Sequence, residues 1–247
     1  MTAARAGGVA GDRFVELLRG GDLDLEGRLV EASNATFYGH VRGPRADQAP
    51  VACVYKPIRG ERPLDDFPDG SLAGREVAAY ELSAGGGWGV VPPTVLRQGP
   101  FGPGMVQQWI EVDETIDPLD LIRRGDPALR HLALFDLVAN NADRKVGHLL
   151  PLADGRVLGV DHGICFAVEP KLRTVLWNWR GQPLTDAERV RLEGVARALR
   201  GPLGVALTAL LEPAEVAATT RRVTRLLRTG CFPQPATDRP AVPWPPF

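Results

Sequence analysis

The sequence predicts an α+β protein of two lobes, a small β-rich N-terminal lobe and a helical C-terminal lobe, with an interlobe cleft. Three observations carry that reading. The chain has 247 residues, enough for one large domain or two small lobes that each bury a core. Up to about residue 108 the segments read as strands around one long helix. Beyond the join near 107–112 they read as helices interrupted by one hairpin.

The elements follow in order. Residues 1–12 are small and polar and are expected to be disordered, and 12–20 reads as a short helix stopped by Gly20-Gly21. Segments 24–31 and 36–41 read as two strands. A third covers 51–58, where Pro57 marks a strand end or an edge. Ser71 is the expected N-cap of a helix over 72–83, terminated by the glycines at 85–87. Segments 90–98 and 104–111 read as two more strands. Asp126-Pro127 is an N-cap and first-turn pair that opens a helix over 127–140, apolar on most sides and therefore buried. Segments 148–152 and 156–161 flank Ala153-Asp154-Gly155, and Asp-Gly between apolar runs predicts a hairpin. Thr185 and Glu188 form a capping box for a helix over 186–199, and a last helix over 213–229 stops at Gly230. The tail, 231–247, holds six prolines and is expected to be extended or unstructured. The expected organisation is 1–12 disordered, 13–108 N-terminal lobe, 109–230 C-terminal lobe and 231–247 tail.

Composition narrows the function. Lys plus Arg number 29 against 30 Asp plus Glu, a formal net charge of −1, so no basic excess draws the chain onto nucleic acid or an anionic membrane. Only three of the basic residues are lysines, Lys56, Lys145 and Lys171, so each of them merits inspection. Three widely spaced cysteines argue against a disulfide framework and against a CxxC-type zinc site. The N-terminus has no apolar signal region, and the longest nearly apolar stretch, 201–211, is too short to span a bilayer. A cytoplasmic protein without stable membrane insertion is expected.

The chemistry concentrates in NNADRKVGHLLPLADGRVLGVDHG, 140–163. If Asp154-Gly155 is a two-residue turn, Ala153 pairs with Arg156 and His148 faces Asp161, with Cβ atoms about 4.5–5.5 Å apart. Asp143 lies just upstream, so two carboxylates and an imidazole converge at the hairpin mouth, an arrangement suited to a metal or phosphate site. A second signal pairs Lys56, in the strand VYKP, with Glu76, in the helix GREVAAYEL. Phosphoryl-transfer sites use such an ion pair to hold nucleotide phosphates.

Lys56, Glu76, DRKVGH (143–148) and DHG (161–163) follow one another as do the parts of a protein-kinase-like fold. The sequence resembles the phosphatidylinositol 3-/4-kinase-like group and the related HipA-type kinases. There the catalytic loop reads roughly N-x-D-R-H-x-x-N and a later DFG or DxG aspartate holds metal. Asn141, Asp143 and Arg144 match the loop, His148 replaces its final Asn, and DHG stands for DFG. The resemblance implies that Asp143 is the catalytic-loop aspartate and that Asp161, with His148, holds Mg²⁺ or Mn²⁺. It implies that Lys56, oriented by Glu76, contacts ATP phosphates. The turn Ser33, Asn34, Ala35 and Thr36 would cover those phosphates, and Met105, Val106, Gln107, Gln108 and Trp109 would form the adenine-binding connector. The chain has no GxGxxG, HRD or APE motif, which disfavours a eukaryotic-type Ser/Thr/Tyr kinase. The implied activity is an ATP-dependent phosphotransferase acting on a hydroxyl of a protein or small molecule. A nucleotide-binding pseudokinase scaffold and a nucleotidyl transferase on the same fold stay open as alternatives.

Overall fold

The computed structural model describes residues 14–29, 34–45 and 49–247. The chain divides into two compact units, one built from the residues up to Val77 with Pro92–Ile110, the other from Ala78–Val91 with Glu111–Phe247.

The first unit is a five-stranded antiparallel sheet with strand order β1-β2-β3-β5-β4. Its strands are β1 (Asp22–Arg28), β2 (Phe37–Arg42), β3 (Val51–Pro57), β4 (Thr94–Gly99) and β5 (Gly102–Gln108). A short helix α1, over residues 14–20, precedes the sheet. Arg97 of β4 anchors it, donating to the carbonyls of Leu18 at 2.9 Å and Gly21 at 2.7 Å. The alternation of β3 decides where its lysine goes: Cys53, Tyr55 and Pro57 are buried on one face, while Val54 and Lys56 point to the other. Cys53 and Tyr55 pack with Leu18, Val41, Val95 and Val106 in the core of this unit. Burial pushes the Cys53 thiol up to about 11, so it is a packing residue and not a nucleophile.

Helix α2 (Leu72–Gly85) begins in this unit. Its cap differs from the expectation. The Ser71 hydroxyl donates to the Pro68 carbonyl. The orphan N–H groups of Leu72 and Ala73 instead donate to the two carboxylate oxygens of Glu61, at 3.1 and 2.8 Å. A full negative charge at the positive end of the helix serves better than a hydroxyl.

The second unit is helical: α3 (Pro118–Arg124), α4 (Pro127–Ala139), α5 (Asp186–Ala198), α6 (Pro202–Thr208) and α7 (Pro213–Thr229). Helix α4 is its axis, with Leu129, Leu132, Leu134, Phe135, Val138 and even Asp136 buried. Asp126 caps it, and Thr185 with Glu188 forms the capping box of α5. Arg130 of α4 reaches that same Glu188 at 2.7 Å. Helices α3 and α6 had no counterpart in the sequence reading, although Asp117-Pro118 before α3 repeats the cap signal of Asp126-Pro127. Val90 and Val91, expected in a strand, lie before β4 and are buried in the core of this unit.

Two further strands, β6 (Leu149–Pro151) and β7 (Val157–Gly159), form the expected hairpin in a different register. Leu149 pairs with Gly159 and Pro151 with Val157. Leu152 donates to Arg156 across a three-residue loop, and Gly155 takes the left-handed conformation, φ 83°, that closes such loops. His148 therefore faces Val160, whose N–H donates to its carbonyl at 3.1 Å, and not Asp161.

The tail also departs from its expectation. It forms no helix or strand, as its prolines dictate, yet it is docked along the second unit. The Ala241 carbonyl accepts from the Thr174 N–H and the Trp177 indole N–H, and the Pro246 carbonyl accepts from the Val146 N–H at 2.9 Å. Phe232 is buried in the core, where Arg130 lies over its ring. Among the described residues, no helix is long and apolar enough to cross a membrane.

Candidate active site

The site in the second unit is built on a buried charge cluster. Helix α4 ends at Asn140, whose left-handed backbone, φ 54°, turns the chain into the loop 141–148. Asp136, on the last turn, is fully buried. Its Oδ1 accepts from Asn141 at 3.1 Å and from Arg144 at 2.9 Å, and its Oδ2 accepts from Arg144 Nε at 3.0 Å. Both members of the Arg144–Asp136 pair have no exposed side-chain surface. Removing one partner of such a pair costs about 3–5 kcal/mol, because the other charge is left uncompensated. Arg144 then reaches across to the hairpin, donating to the Val160 carbonyl at 2.9 Å and lying 2.7 Å from His162 Nε2. Arginine has no acceptor, so His162 Nε2 accepts, and that ring is neutral with its proton on Nδ1. One guanidinium thus ties the loop 141–148 to the DHG segment. Gly159 leaves room for it: a Cβ there would come within 2.7 Å of Leu132 and 3.0 Å of Arg144.

The three site residues sit on this frame. The Asp143 N–H donates to Asn141 Oδ1 at 2.9 Å, which orients the loop, and its carboxylate lies 3.2 Å from Lys145 Nζ. Burial is the main cause that pushes the Asp143 carboxyl above the ordinary carboxylate range. The Asp161 charge pushes the same way, and Lys145 and Arg173 pull against it. Asp161 has φ 60°, a left-handed conformation uncommon outside glycine and worth a functional reading where it persists. That twist brings its carboxylate to His148 despite the shifted register: His148 Nε2 lies 3.3 Å from Asp161 Oδ2. His148 Nδ1 faces the Lys145 N–H at 3.5 Å, so Nε2 carries the proton and donates to Asp161.

In the first unit, Lys56 Nζ contacts Glu76 Oε1 at 2.8 Å, with the Glu76 side chain 3% and that of Lys56 21% exposed. The expected strand-to-helix ion pair is formed. Ser33 lies outside the described residues. Asn34, Ala35 and Thr36 form a turn held by Asn34 Oδ1 accepting from the Arg62 N–H and by the Ala35 N–H donating to the Gly60 carbonyl. Met105, Val106, Gln107 and Gln108 lie at the end of β5, where Met105 pairs with Lys56 and Gln107 donates to Thr94. Of that set, Trp109 alone lies past the strand, partly exposed, its ring edge-on to Tyr38.

Asp161 supplies a carboxylate and His148 an imidazole nitrogen, a mixed O/N pair that fits a divalent ion once the ring proton moves from Nε2 to Nδ1, which frees the Nε2 lone pair and gives up the 3.5 Å contact with the Lys145 N–H. Among the described residues, no three His, Cys, Asp or Glu side chains converge as a full cage. Mg²⁺ asks for no such cage, because one or two carboxylates suffice when substrate phosphates complete its shell.

The curated Mycobacterium tuberculosis protein Rv2133c is 42% identical to this chain over 94% of each sequence. The chain belongs to the Rv2133c family. No family model matches it. Among solved structures, hydra Fam20 with sugar aligns with a TM-score of 0.61 at 15% identity, over 90% of this chain and 89% of that one. The Golgi casein kinase with Mn/ADP bound aligns with a TM-score of 0.52 at 13% identity, over 95% of this chain and 79% of that one. At these identities the likeness is one of fold, and the fold is protein-kinase-like.

Sequence reasoning missed Asp136, Glu61 and the role of Arg144 as a hub. The only available signal was a carboxylate in a helix otherwise apolar on most sides, since a buried charge demands a partner. Lys145, one of the three lysines, places its ammonium on the Asp143 carboxylate.

Proposed function

We propose that this protein is an ATP-dependent phosphotransferase of the phosphatidylinositol 3-/4-kinase-like type, acting on a hydroxyl-bearing acceptor with Mg²⁺ or Mn²⁺. The observation that carries the reading is the gathering of Asp143, Lys145, His148 and Asp161 on one loop and hairpin locked by the buried Arg144. Phosphoryl transfer needs little covalent chemistry from a protein, so positioning and charge do most of the work. The divalent ion supplies charge neutralisation on the nucleotide phosphates. Asp161 and His148 are the residues to hold it. Lys56, kept extended by Glu76, binds phosphate oxygens, and Lys145 offers a second cation beside Asp143. Asp143 accepts the hydroxyl proton, a task for which a carboxyl raised toward neutrality is the better base. The adenine-side residues follow the end of β5, beginning at Trp109.

Thermal unfolding with ATP and with either metal tests the reading. A ligand at a hundredfold excess over its dissociation constant adds about 2.7 kcal/mol of stability. Asp161→Ala is expected to lose the metal-dependent shift. Asp143→Asn is expected to keep it while losing ADP production, because the two residues act on the ground state and the transition state respectively. An unmoved melting temperature for the wild type at millimolar ATP with both metals refutes the proposal.

A further inference from the structure

Beyond the DHG segment the chain returns to the catalytic loop, where Thr174 makes a parallel bridge to Arg144. Arg173 is clamped there from both sides: its N–H donates to the Asn141 carbonyl at 3.0 Å, and its carbonyl accepts from the Arg144 N–H at 3.1 Å. Asn141 and Arg144 bracket Asp143, so the backbone of Arg173 is fixed to the loop that carries the proposed base. Its guanidinium charge acts on the Asp143 carboxylate. Yet Arg173 Nε is buried and has no hydrogen-bond partner among the described residues. A guanidinium is always charged, and a buried donor left without an acceptor is costly. Such an orphan asks for an explanation. Lys145 already pairs with Asp143 at 3.2 Å, so a second cation is not needed to balance that carboxylate.

We propose that Arg173 is an anion-recognition residue: it binds an acidic group, phosphate or carboxylate, on the acceptor whose hydroxyl Asp143 serves. This rests on the phosphotransferase reading above. The planar fork of arginine matches both oxyanions and donates two parallel hydrogen bonds to them, one of them from Nε–H. The position beside Asp143 assigns the anion to the acceptor, since the nucleotide and its ion are served by Lys56, Asp161 and His148. Acceptors bearing an acidic group near the reacting hydroxyl are selected over their neutral counterparts.

The test follows the arginine Nε–H signals of the full-length ¹⁵N-labelled chain by NMR, with saturating Mg-ADP present. Inorganic phosphate and acetate are titrated in separate arms against chloride at equal ionic strength. One signal, identified by its loss in Arg173→Lys, is expected to shift saturably with phosphate, acetate or both, which distinguishes the two anion sources. In Arg173→Gln, which lacks that signal, the affinity for the anion is read from the backbone N–H signals of Asp143 and Arg144 and is expected to fall at least tenfold, while the thermal shift with Mg-ATP stays at the wild-type value. The variant keeps both backbone hydrogen bonds, so folding is not at stake. A signal that ignores both anions, or an affinity unchanged in Arg173→Gln, overturns the anion site. A signal that moves only when ADP is absent overturns the assignment to the acceptor. A wild type that binds no nucleotide overturns the phosphotransferase reading instead, and the anion titration reads separately from it.

Discussion

Asp143 shows how a single residue's surroundings set its chemistry. Burial raises its carboxyl above the ordinary value, with Asp161 adding to the effect, and the cations of Lys145 and Arg173 restrain it. In the window just above the ordinary aspartate value, folded Asp143 still holds a proton that the unfolded chain has released. The native state then binds more protons, so stability falls as pH rises through that window and levels off above the folded value. Asp143→Asn removes this slope and is expected to be the more stable form near neutrality. Urea unfolding of both proteins at a series of pH values from 4 to 8 measures it, and parallel profiles would contradict the assignment. The same shift places the acid limb of any activity profile higher than an ordinary aspartate would give.

At the scale of elements, the docked tail is the feature with the clearest consequence. Val146 opens the 3₁₀ turn Val146–His148, which delivers His148 to Asp161, and its N–H is held by the Pro246 carbonyl. Ala241 holds the segment after DHG through Thr174 and Trp177. Truncation after Pro240 removes three hydrogen bonds, each worth about 0.5–1.5 kcal/mol. The expected result is a stability loss of about 2–4 kcal/mol and a weaker thermal response to Mg-ATP, read by chemical denaturation and by melting with nucleotide. An unfolding free energy equal to that of the full chain would show that the tail is not held in solution. The Glu61 cap illustrates the same scale from another side, since the carboxylate that starts α2 comes from a residue outside the helix.

For the whole molecule, the proposed reaction draws on both units: Lys56 with Glu76 in the first, Asp143, His148 and Asp161 in the second. Residues that serve one transition state are not additive. Lys56→Met and Asp161→Ala are each expected to abolish nucleotide turnover, and the double variant to lose no more than the worse single one. Additive losses, measured as log rates of ADP release, would mean that the two units act on separate processes.

Local signals were legible in the sequence because their physics is local. The Asp126-Pro127 start of α4, the capping box of α5, the Gly230 stop of α7 and the existence of the β6-β7 hairpin depend on residues a few positions apart. Lys56 and Glu76 could be paired because a strand lysine and a helix glutamate are the combination that phosphoryl-transfer sites use, and Lys56 is the one lysine of the N-terminal lobe. The hairpin's register was not legible: a three-residue loop and a two-residue turn share the same Asp-Gly, and only the ladder chooses between them. Nor did the sequence show that Asp161 would reach His148 by a left-handed twist, that Asp136 and Arg144 would bury their charges against each other, or that Glu61 would displace Ser71 as a cap. Composition alone marked the tail as extended, while its docking rests on backbone carbonyls that any residue carries. Sequence by itself determined most of the elements and the residue types of the candidate site. Tertiary structure decided which buried polar groups satisfy one another, because that choice is made between segments far apart in the chain and is enforced by the cost of leaving any of them unpaired.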